Sequence, residues 1–173
     1  MEIGETPDNG SYILNANDLC TAPFIDLICK AGVDSLKIEG RAKTFYYVAS
    51  VVSAYRRALD TFLADPYNDN FELPDAVIEE LNRTSHRHYS PGFYFGKEQA
   101  QQTPSHTYVR DWDFIGTVES WENGIAHCTQ RGKFAAGDSI EILQPDGSVI
   151  PLAPAWIENA DGERVDATPH PMM

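Results

Sequence analysis

The residues best suited to chemistry lie in the stretch SLKIEGR, at positions 35–41. Lys37 and Glu39 alternate there with aliphatic residues, and Arg41 follows Gly40. Such alternation predicts a β-strand with one charged and one aliphatic face. In a barrel, Lys37 and Glu39 would point inward, and Glu39 and Arg41 would lie at the C-terminal end of the strand, where such barrels keep their catalytic groups. A charged strand at a solvated sheet edge is the alternative, and the pattern leaves both open.

The cysteines and histidines offer fewer possibilities. The sequence has three cysteines, Cys20, Cys29 and Cys128, an odd number without CxxC spacing. This pattern argues against a disulfide framework and favours a reducing, cytoplasmic location. We expect Cys29 and Cys128 to be structural, because they fall in an apolar helix and in a strand. His86 and His88 could share one face of a strand, but no third ligand stands at a diagnostic spacing, so we expect no metal site. Neither a Gly-x-Ser-x-Gly elbow nor a His-Glu-x-x-His motif occurs, so nothing independently supports peptide hydrolysis.

The segment RTSHRHYSPGFYFG, at positions 83–96, mixes basic and aromatic residues in a chain otherwise short of positive charge. Interleaved aromatic and basic side chains can stack on and pair with single-stranded RNA. More often such a segment packs its aromatic side chains between two domains. The Pro91-Gly92 pair favours a tight turn in either case.

The spacing of apolar residues predicts the elements that would position these side chains. We expect strands at 12–15 and 33–39, and helices at 22–32, 43–64 and 74–83. The order strand, helix, strand, helix is typical of a parallel α/β unit. After residue 106, short strands alternate with Asn-Gly and Asp-Gly turns, which predicts a small antiparallel barrel or sandwich.

Composition limits the class of protein. With 173 residues, 42% of them hydrophobic, the chain can bury a core. Its formal net charge of −13 argues against nucleic-acid binding as the main function, although the sequence still allows a local basic groove. No apolar run is long enough to span a membrane, and the acidic N-terminus is unlike a secretory signal. We therefore expect a cytoplasmic protein that does not bind membranes.

The predicted organisation has three parts and belongs to the α+β class. Residues 1–65 would be the tail of an α/β, TIM-barrel-like domain, 66–105 a helix and an aromatic linker, and 106–173 a small antiparallel β-barrel. Two strands and two helices cannot close a parallel barrel, since eight such units take about 250 residues. We therefore expect the chain to be the C-terminal fragment of a larger protein.

Several segments together resemble the C-terminal part of the collagenase-like peptidases, peptidase family U-thirty-two. They are GSYILNANDLC, AGVDSLKIEGRAKTFYYVASVVSAYRRALD and TSHRHYSPGFYFG, in the order found in that family. The closing segments FIGTVESW, RGKFAAGDSIEILQPDG and DGERVDATPHPMM resemble the family's C-terminal β-barrel domain. The resemblance covers most of the chain.

The resemblance implies a parent enzyme of one of two kinds. Some family members are described as proteases that degrade collagen, and others hydroxylate a tRNA uridine, ribosomal RNA or a quinone precursor. In the hydroxylases four cysteines are thought to hold an iron–sulfur cluster, and Cys20 matches the last of them. The segment that carries the other three is absent from this sequence, and one thiolate cannot hold a cluster. We therefore expect the fragment to hold no cofactor and to be inactive alone.

The resemblance also implies partners. The upstream catalytic region of the same protein is the first, with RNA or protein as the substrate of the parent, and a homo-oligomer is a further possibility. The alternative from another class is a non-catalytic module that binds protein or RNA for the catalytic region. The acidic balance favours protein contact in that case.

Overall fold

The chain folds into two compact units. The computed structural model describes residues 3–6, 10–13, 17–96 and 108–168, and it assigns Met1–Trp112 to the first unit and Asp113–Met173 to the second. The mixture of helices and small antiparallel sheets confirms a mixed α and β architecture. The finer division at 65 and 105 stays a prediction. Among the described helices, none has the length and apolar character needed to cross a bilayer.

The described residues of the first unit form four short strands and three α-helices. In chain order its elements are β1 (Ile3–Thr6), β2 (Gly10–Ile13), β3 (Asp18–Leu19), a 3-10 turn (Ala22–Phe24), α1 (Ile25–Lys30), α2 (Phe45–Ala64), α3 (Asp75–Asn82) and β4 (Tyr89–Ser90). β1 and β2 form an antiparallel hairpin, and β3 pairs in parallel with β4. The strand expected at 12–15 is confirmed as far as Ile13, and its last two residues lie outside the described part of the chain.

The helices follow the sequence pattern because local signals set their ends. Thr44 is the N-cap of α2, and its hydroxyl accepts a hydrogen bond from the backbone N–H of Tyr47 at 3.1 Å. The chain leaves α1 through Gly32, whose φ of 80° is a left-handed conformation that suits glycine. The three predicted helices are therefore confirmed, with the first divided into a 3-10 turn and α1.

The core of the first unit lies along α2, which packs against both α1 and α3. The side chains of Ile25, Ala54 and Ala58 are 0% exposed, and Val77 is 1% exposed. Small alanines on α2 let the neighbouring elements approach its backbone closely. The buried cluster is completed by Cys20, Ala22, Val51 and Leu81.

The strand expected at 33–39 does not form. These residues belong to no β-ladder, because no described strand lies beside them to supply hydrogen-bond partners. The alternation of the sequence is kept, since Leu36 and Ile38 pack against the core while Lys37 and Glu39 are exposed. The stretch is thus an extended segment with one apolar side on the core and no strand pairing.

The second unit consists of hairpins. Its strands are β5 (Gly116–Glu122), β6 (Ile125–Gln130), β7 (Ile140–Leu143), β8 (Val149–Leu152), β9 (Ile157–Glu158) and β10 (Arg164–Val165). Each pairs antiparallel with its sequence neighbour: β5 with β6, β7 with β8, and β9 with β10. The antiparallel prediction is confirmed. The closed barrel is not confirmed, because the described strands form separate two-stranded sheets.

The turns of the second unit explain its hairpins. Asn123 and Gly124 join β5 to β6 with φ of 53° and 80°, the positive values that a two-residue hairpin turn requires. Gly147 and Gly162 also have positive φ, at the two Asp-Gly turns. The turn dipeptides therefore set the strand boundaries.

Candidate active site

Cys20 is the candidate site residue that the fold places most firmly. It directly follows β3, and its backbone N–H donates a hydrogen bond to the carbonyl oxygen of Ser90 at 3.0 Å. Its side chain is only 6% exposed. Burial raises the pKa of the Cys20 thiol, although the backbone N–H of Ala22 and the hydroxyl of Tyr55 act in the opposite direction. An isolated Cys20 is therefore a protonated thiol at neutral pH and not a ready nucleophile.

Tyr55 is the side chain that contacts the Cys20 sulfur. Its hydroxyl on α2 donates to Cys20 Sγ at 4.0 Å, a long contact but within reach of sulfur. The same oxygen accepts from the backbone N–H of Thr21 at 2.9 Å and lies 3.1 Å from the Thr21 hydroxyl. Burial, ahead of all other causes, raises the pKa of Tyr55, so its hydroxyl stays protonated and able to donate. Thr21 thus holds Tyr55 in place, and Tyr55 faces the sulfur.

Cys20 opens onto a cleft of about 400 Å³. Most of its lining is apolar, and the polar groups are the thiol of Cys20 and side chains of Asn82, Tyr89 and Ser90. The apolar lining residues are Pro23, Phe24, Ile78, Leu81, Pro91 and Phe95. A cleft of this size and character is typical of a small-ligand or side-chain binding site.

An ion pair between Asp18 and Arg87 stabilises the pairing of β3 with β4 beside the cleft. Arg87 donates to the two carboxylate oxygens of Asp18 through its backbone N–H at 2.9 Å and its Nε at 2.8 Å, and its terminal nitrogen lies 2.8 Å from Asp18 Oδ1. Both side chains are less than a third exposed. Charge-assisted hydrogen bonds of this kind are stronger than neutral ones. They hold Cys20 in register with β4.

Tyr89 forms the floor of the same region. Its ring stacks on that of His86 with the centroids 4.0 Å apart, and its hydroxyl donates to the carbonyl oxygen of Leu81 at 3.0 Å. Burial raises the pKa of Tyr89 strongly. His86 is buried, and its Nδ1 lies 2.7 Å from the carbonyl oxygen of Arg87. These contacts make His86 and Tyr89 structural neighbours of the site.

The three residues predicted to be catalytic lie together at the surface. Lys37, Glu39 and Arg41 are all exposed, and Glu39 Oε1 accepts a hydrogen bond from the backbone N–H of Arg41 at 2.9 Å. In the described chain Glu39 therefore closes the turn through Gly40. A Cβ on Gly40 would lie 2.7 Å from Val48 Cγ2, so a larger residue at this turn would require the Val48 side chain to shift.

Tyr47 is a half-buried residue in the first turn of α2. Burial is the main cause that raises the pKa of Tyr47, and the carboxylates of Asp18 and Glu39 add to it. Within the described residues, no contact between the side chains of Glu39 and Cys20 is found.

The described residues fit the expected iron–sulfur cluster only in part. Cys20 offers one sulfur at the wall of a cleft, with a hydroxyl donor beside it, as hydrogen-bonded cluster ligands have. Cys29 lies on α1 and Cys128 on β6 of the second unit. Within the described ranges no group of three or more histidines, cysteines or carboxylates could hold a metal ion. Among the described cysteines, Cys20 is the one that lines the cleft, and its role as a cluster ligand stays a prediction.

The aromatic segment at 83–96 divides into two halves. Its basic residues face inward partners, since Arg83 binds Glu80 at 3.2 Å and lies over the ring of Trp112, and Arg87 binds Asp18. Its last aromatics are exposed: Phe93 by 72%, Tyr94 by 63% and Phe95 by 51%. Phe24 packs against the rings of Tyr94 and Phe95. The arginines are thus less available for phosphate than the sequence suggested.

Sequence reasoning missed three contributors to the site. Tyr55 lies within the helix predicted at 43–64 and Asp18 precedes the helix predicted at 22–32, and neither is singled out by the sequence as a site residue. Tyr89 was recognised only as one aromatic among several. The cysteine itself was found through the family resemblance, because no local pattern marks its partners.

Comparison with known proteins supports the resemblance over the whole chain. The family model for peptidase family U32 matches residues 2–104, and the model for the peptidase family U32 C-terminal domain matches residues 110–173. No solved structure matches the chain. The two models together leave only a few residues of the chain unmatched.

Relatives carry two kinds of name. The tRNA hydroxylation protein P1 of Bacillus subtilis is 32% identical over 96% of this chain and 40% of its own length. The tRNA hydroxylation protein P of Escherichia coli is 34% identical over 94% of this chain and 35% of its own length. A collagenase of Porphyromonas gingivalis is 30% identical over 80% of this chain and 39% of its own length. The chain thus spans well under half the length of these relatives. Both family models match it in sequence order, and the chain belongs to peptidase family U32.

Proposed function

We propose that the chain is the C-terminal portion of a tRNA uridine hydroxylation enzyme, in which Cys20 provides one of four thiolates to an iron–sulfur cluster. The observation that carries the proposal is the position of Cys20 among the residues that line the cleft, with the Tyr55 hydroxyl 4.0 Å from its sulfur. The names of the tRNA hydroxylation relatives, which align over 94% to 96% of the chain, agree with it. Such a cluster, when bound, supplies one-electron redox chemistry.

The residues of this chain then have distinct roles. Tyr55 donates a hydrogen bond to the sulfur, which favours the thiolate over the thiol. The apolar walls of the cleft limit water around that sulfur. Glu39, Arg41 and Lys37 would line a polar reaction cavity in the complete enzyme, with Glu39 and Arg41 able to exchange a proton and to pair with an anionic group.

Proteolysis is the weaker candidate. It rests on the relatives named collagenase, and among the described residues no histidine or carboxylate is hydrogen-bonded to the Cys20 sulfur as an adjacent base. The described side chain that lies within hydrogen-bond distance of the Cys20 sulfur is Tyr55, a poor base, and burial raises the thiol pKa. Cys20 therefore suits metal ligation better than attack on a peptide bond.

The second unit has a supporting role in this proposal. Its hairpins would be completed into a small β-barrel that contacts the catalytic region or the substrate, in a cytoplasmic enzyme. Its exposed Trp121, on β5, offers a ring for such contacts.

The test is a pair of cysteine variants in the full-length parent. Cys20→Ala should abolish the visible absorbance of the anaerobically reconstituted cluster and the gain of one oxygen atom in the tRNA nucleoside, measured by mass spectrometry. Cys29→Ala is the matched control and should retain both. A Cys20→Ala parent that keeps its cluster and hydroxylates tRNA would contradict the proposal.

A further inference from the structure

The strap, residues 108–112, lies along residues 83–86 of the first unit and ends where the second unit begins, at Asp113. Its Val109 pairs antiparallel with His86. The backbone N–H of Val109 donates to the carbonyl oxygen of His86 at 2.8 Å, and the N–H of His86 donates to the carbonyl oxygen of Val109 at 3.3 Å. This pair of hydrogen bonds fixes the backbone of the strap.

Two cations of the first unit hold the ends of the strap. The ammonium of Lys43 lies 5.1 Å from the centre of the Tyr108 ring, and it donates to the carbonyl oxygen of Ser85 at 3.0 Å. The guanidinium of Arg83 lies 5.3 Å from the centre of the Trp112 ring. A cation within about 6 Å of the centre of an aromatic ring is attracted to the face of that ring. The two rings are 51% and 44% exposed, so these contacts, rather than deep burial, hold them in place.

A buried carboxylate fixes one of these cations. Glu80 on α3 is only 1% exposed, and its Oε2 accepts from Arg83 at 3.2 Å. Burying a carboxylate is costly, and apolar side chains in place of a buried ion pair are often as stable, so such a pair is weak evidence for stability alone. The pair does hold the guanidinium that lies over Trp112.

The residues held by the strap continue directly into those that hold Cys20. Arg87 binds Asp18 through its backbone N–H and its side chain. The carbonyl oxygen of Ser90 accepts from the backbone N–H of Cys20 at 3.0 Å. Residues 83–90 are therefore held by the strap at one end and hold the site at the other. Because the two ends are so close in sequence, we expect that loosening the first end loosens the second.

We propose that the strap positions the candidate site, and that Tyr108 and Trp112 are positioning residues that keep the Cys20 thiol enclosed. The strap is also the covalent connection between the site and the second unit. The inference rests on the proposed function in taking Cys20 as the working residue, but it does not depend on whether Cys20 binds a cluster.

The rate of cysteine labelling in the whole chain tests the strap. Tyr108→Ala/Trp112→Ala removes both rings, and it should raise the rate at which iodoacetamide at pH 8 modifies Cys20 by about tenfold, because local opening of residues 83–90 becomes easier. Cys29, on α1 of the same unit, should keep its rate. Trp112→Ala alone should give a smaller rise, and it replaces the double variant if that variant does not fold. Tyr108→Phe/Trp112→Phe retains two aromatic rings and should keep Cys20 close to its original rate.

The matched control removes the same two residue types elsewhere in the chain. Tyr67→Ala/Trp121→Ala takes away rings that are 92% and 54% exposed, and it should leave the labelling of Cys20 unchanged. Three results would overturn the inference. They are an unchanged Cys20 rate without the strap rings, an equal rise at Cys29, which would mean general loosening of the unit, and a rise of the same size in the control.

The proposed function and this inference can fail separately. A Cys20→Ala parent that keeps its cluster and hydroxylates tRNA would contradict the proposed function, and it would leave the labelling rates of the strap variants as they are. An unchanged labelling rate in the strap variants would leave the cluster test unaffected.

Discussion

The two units of the chain are stabilised in different ways. Among the described residues, every buried apolar side chain belongs to the first unit, with Ile25 and Ala54 fully inaccessible. The buried side chains of the second unit are polar, Gln130 and Thr168, each 9% exposed. Its Trp121 and Ile150 remain about half exposed, at 54% and 48%. The first unit is therefore stabilised by packing, and the second by hydrogen bonds and turns.

This difference also explains where the candidate site lies. A cysteine is fixed in position by the side chains packed around it, and of the three described cysteines Cys20, in the first unit, is the buried one. Cys128, in the second unit, is exposed in its hairpin. The packed core of the first unit thus fixes the position of Cys20, whereas the hairpin of the second unit leaves Cys128 exposed.

The largest expected effect tests the packing difference directly. Ile25→Ala removes a side chain from a fully buried position and should lower the free energy of unfolding by about 2 to 5 kcal/mol. Ile150→Ala, at 48% exposed, should cost at most about 1 kcal/mol, because little apolar surface is uncovered. Urea titrations of both variants, followed by circular dichroism, measure the two values. Equal losses would remove the distinction between the units.

The next effect tests how tightly the first unit is packed at the Gly40 turn. Gly40→Ala places a Cβ 2.7 Å from Val48 Cγ2, and such overpacking should cost about 1 to 3 kcal/mol. Val48→Ala opens that space, so the double variant should recover most of the loss. Urea titrations of the two single variants and the double variant give the coupling energy. A double variant no more stable than Gly40→Ala would show that the contact is not limiting.

A smaller effect tests the hydrogen bonds of the second unit. The Thr168 hydroxyl accepts from the backbone N–H of Phe134 at 2.9 Å and donates to its carbonyl oxygen at 3.1 Å. Thr168→Val removes the acceptor of the half-buried Phe134 N–H, while the Phe134 carbonyl oxygen still accepts from the backbone N–H of Thr168 at 2.8 Å. The variant should cost about 1 to 2 kcal/mol, more than Ile150→Ala in the same unit. Thr129→Val, at an exposed strand position, is the control. The reverse order of losses would mean that packing also governs this unit.

The last prediction concerns the labelling rates of the three cysteines, which depend on the exposure and pKa of each thiol and require no change in stability. Iodoacetamide at pH 8 should modify Cys128 first, Cys29 more slowly and Cys20 last, because Cys20 is buried and burial raises its pKa. Peptide mass spectrometry at successive times gives the three rates. Rapid labelling of Cys20 in the folded chain would contradict its enclosed position.

Local elements were predictable because local signals define them. The N-cap Thr44, Gly32 after α1 and the Asn123-Gly124 turn each act within a few residues, and the structure follows them. The segment at 33–39 was predicted as a strand and is unpaired, since its alternation was readable but the presence of a neighbouring strand was not.

The candidate site was far less predictable. Tyr55 meets Cys20 across 35 positions and Arg87 meets Asp18 across 69, and no periodicity of the sequence encodes such pairs. The family resemblance identified Cys20 but named none of the side chains around it. The roles of Lys37, Glu39 and Arg41 stay predictions.

The contact between Asp18 and Arg87 has a consequence for the order of events during synthesis. It closes a loop of 69 residues that contains α1, α2 and α3. The entropy cost of closing so long a loop must be met before the contact can add stability. The backbone N–H of Cys20 donates a hydrogen bond to the carbonyl oxygen of Ser90, which lies in the strand that follows those helices. A growing chain on the ribosome can therefore form its helices early, but we expect it to fix the candidate cysteine only after β4 has emerged from the exit tunnel.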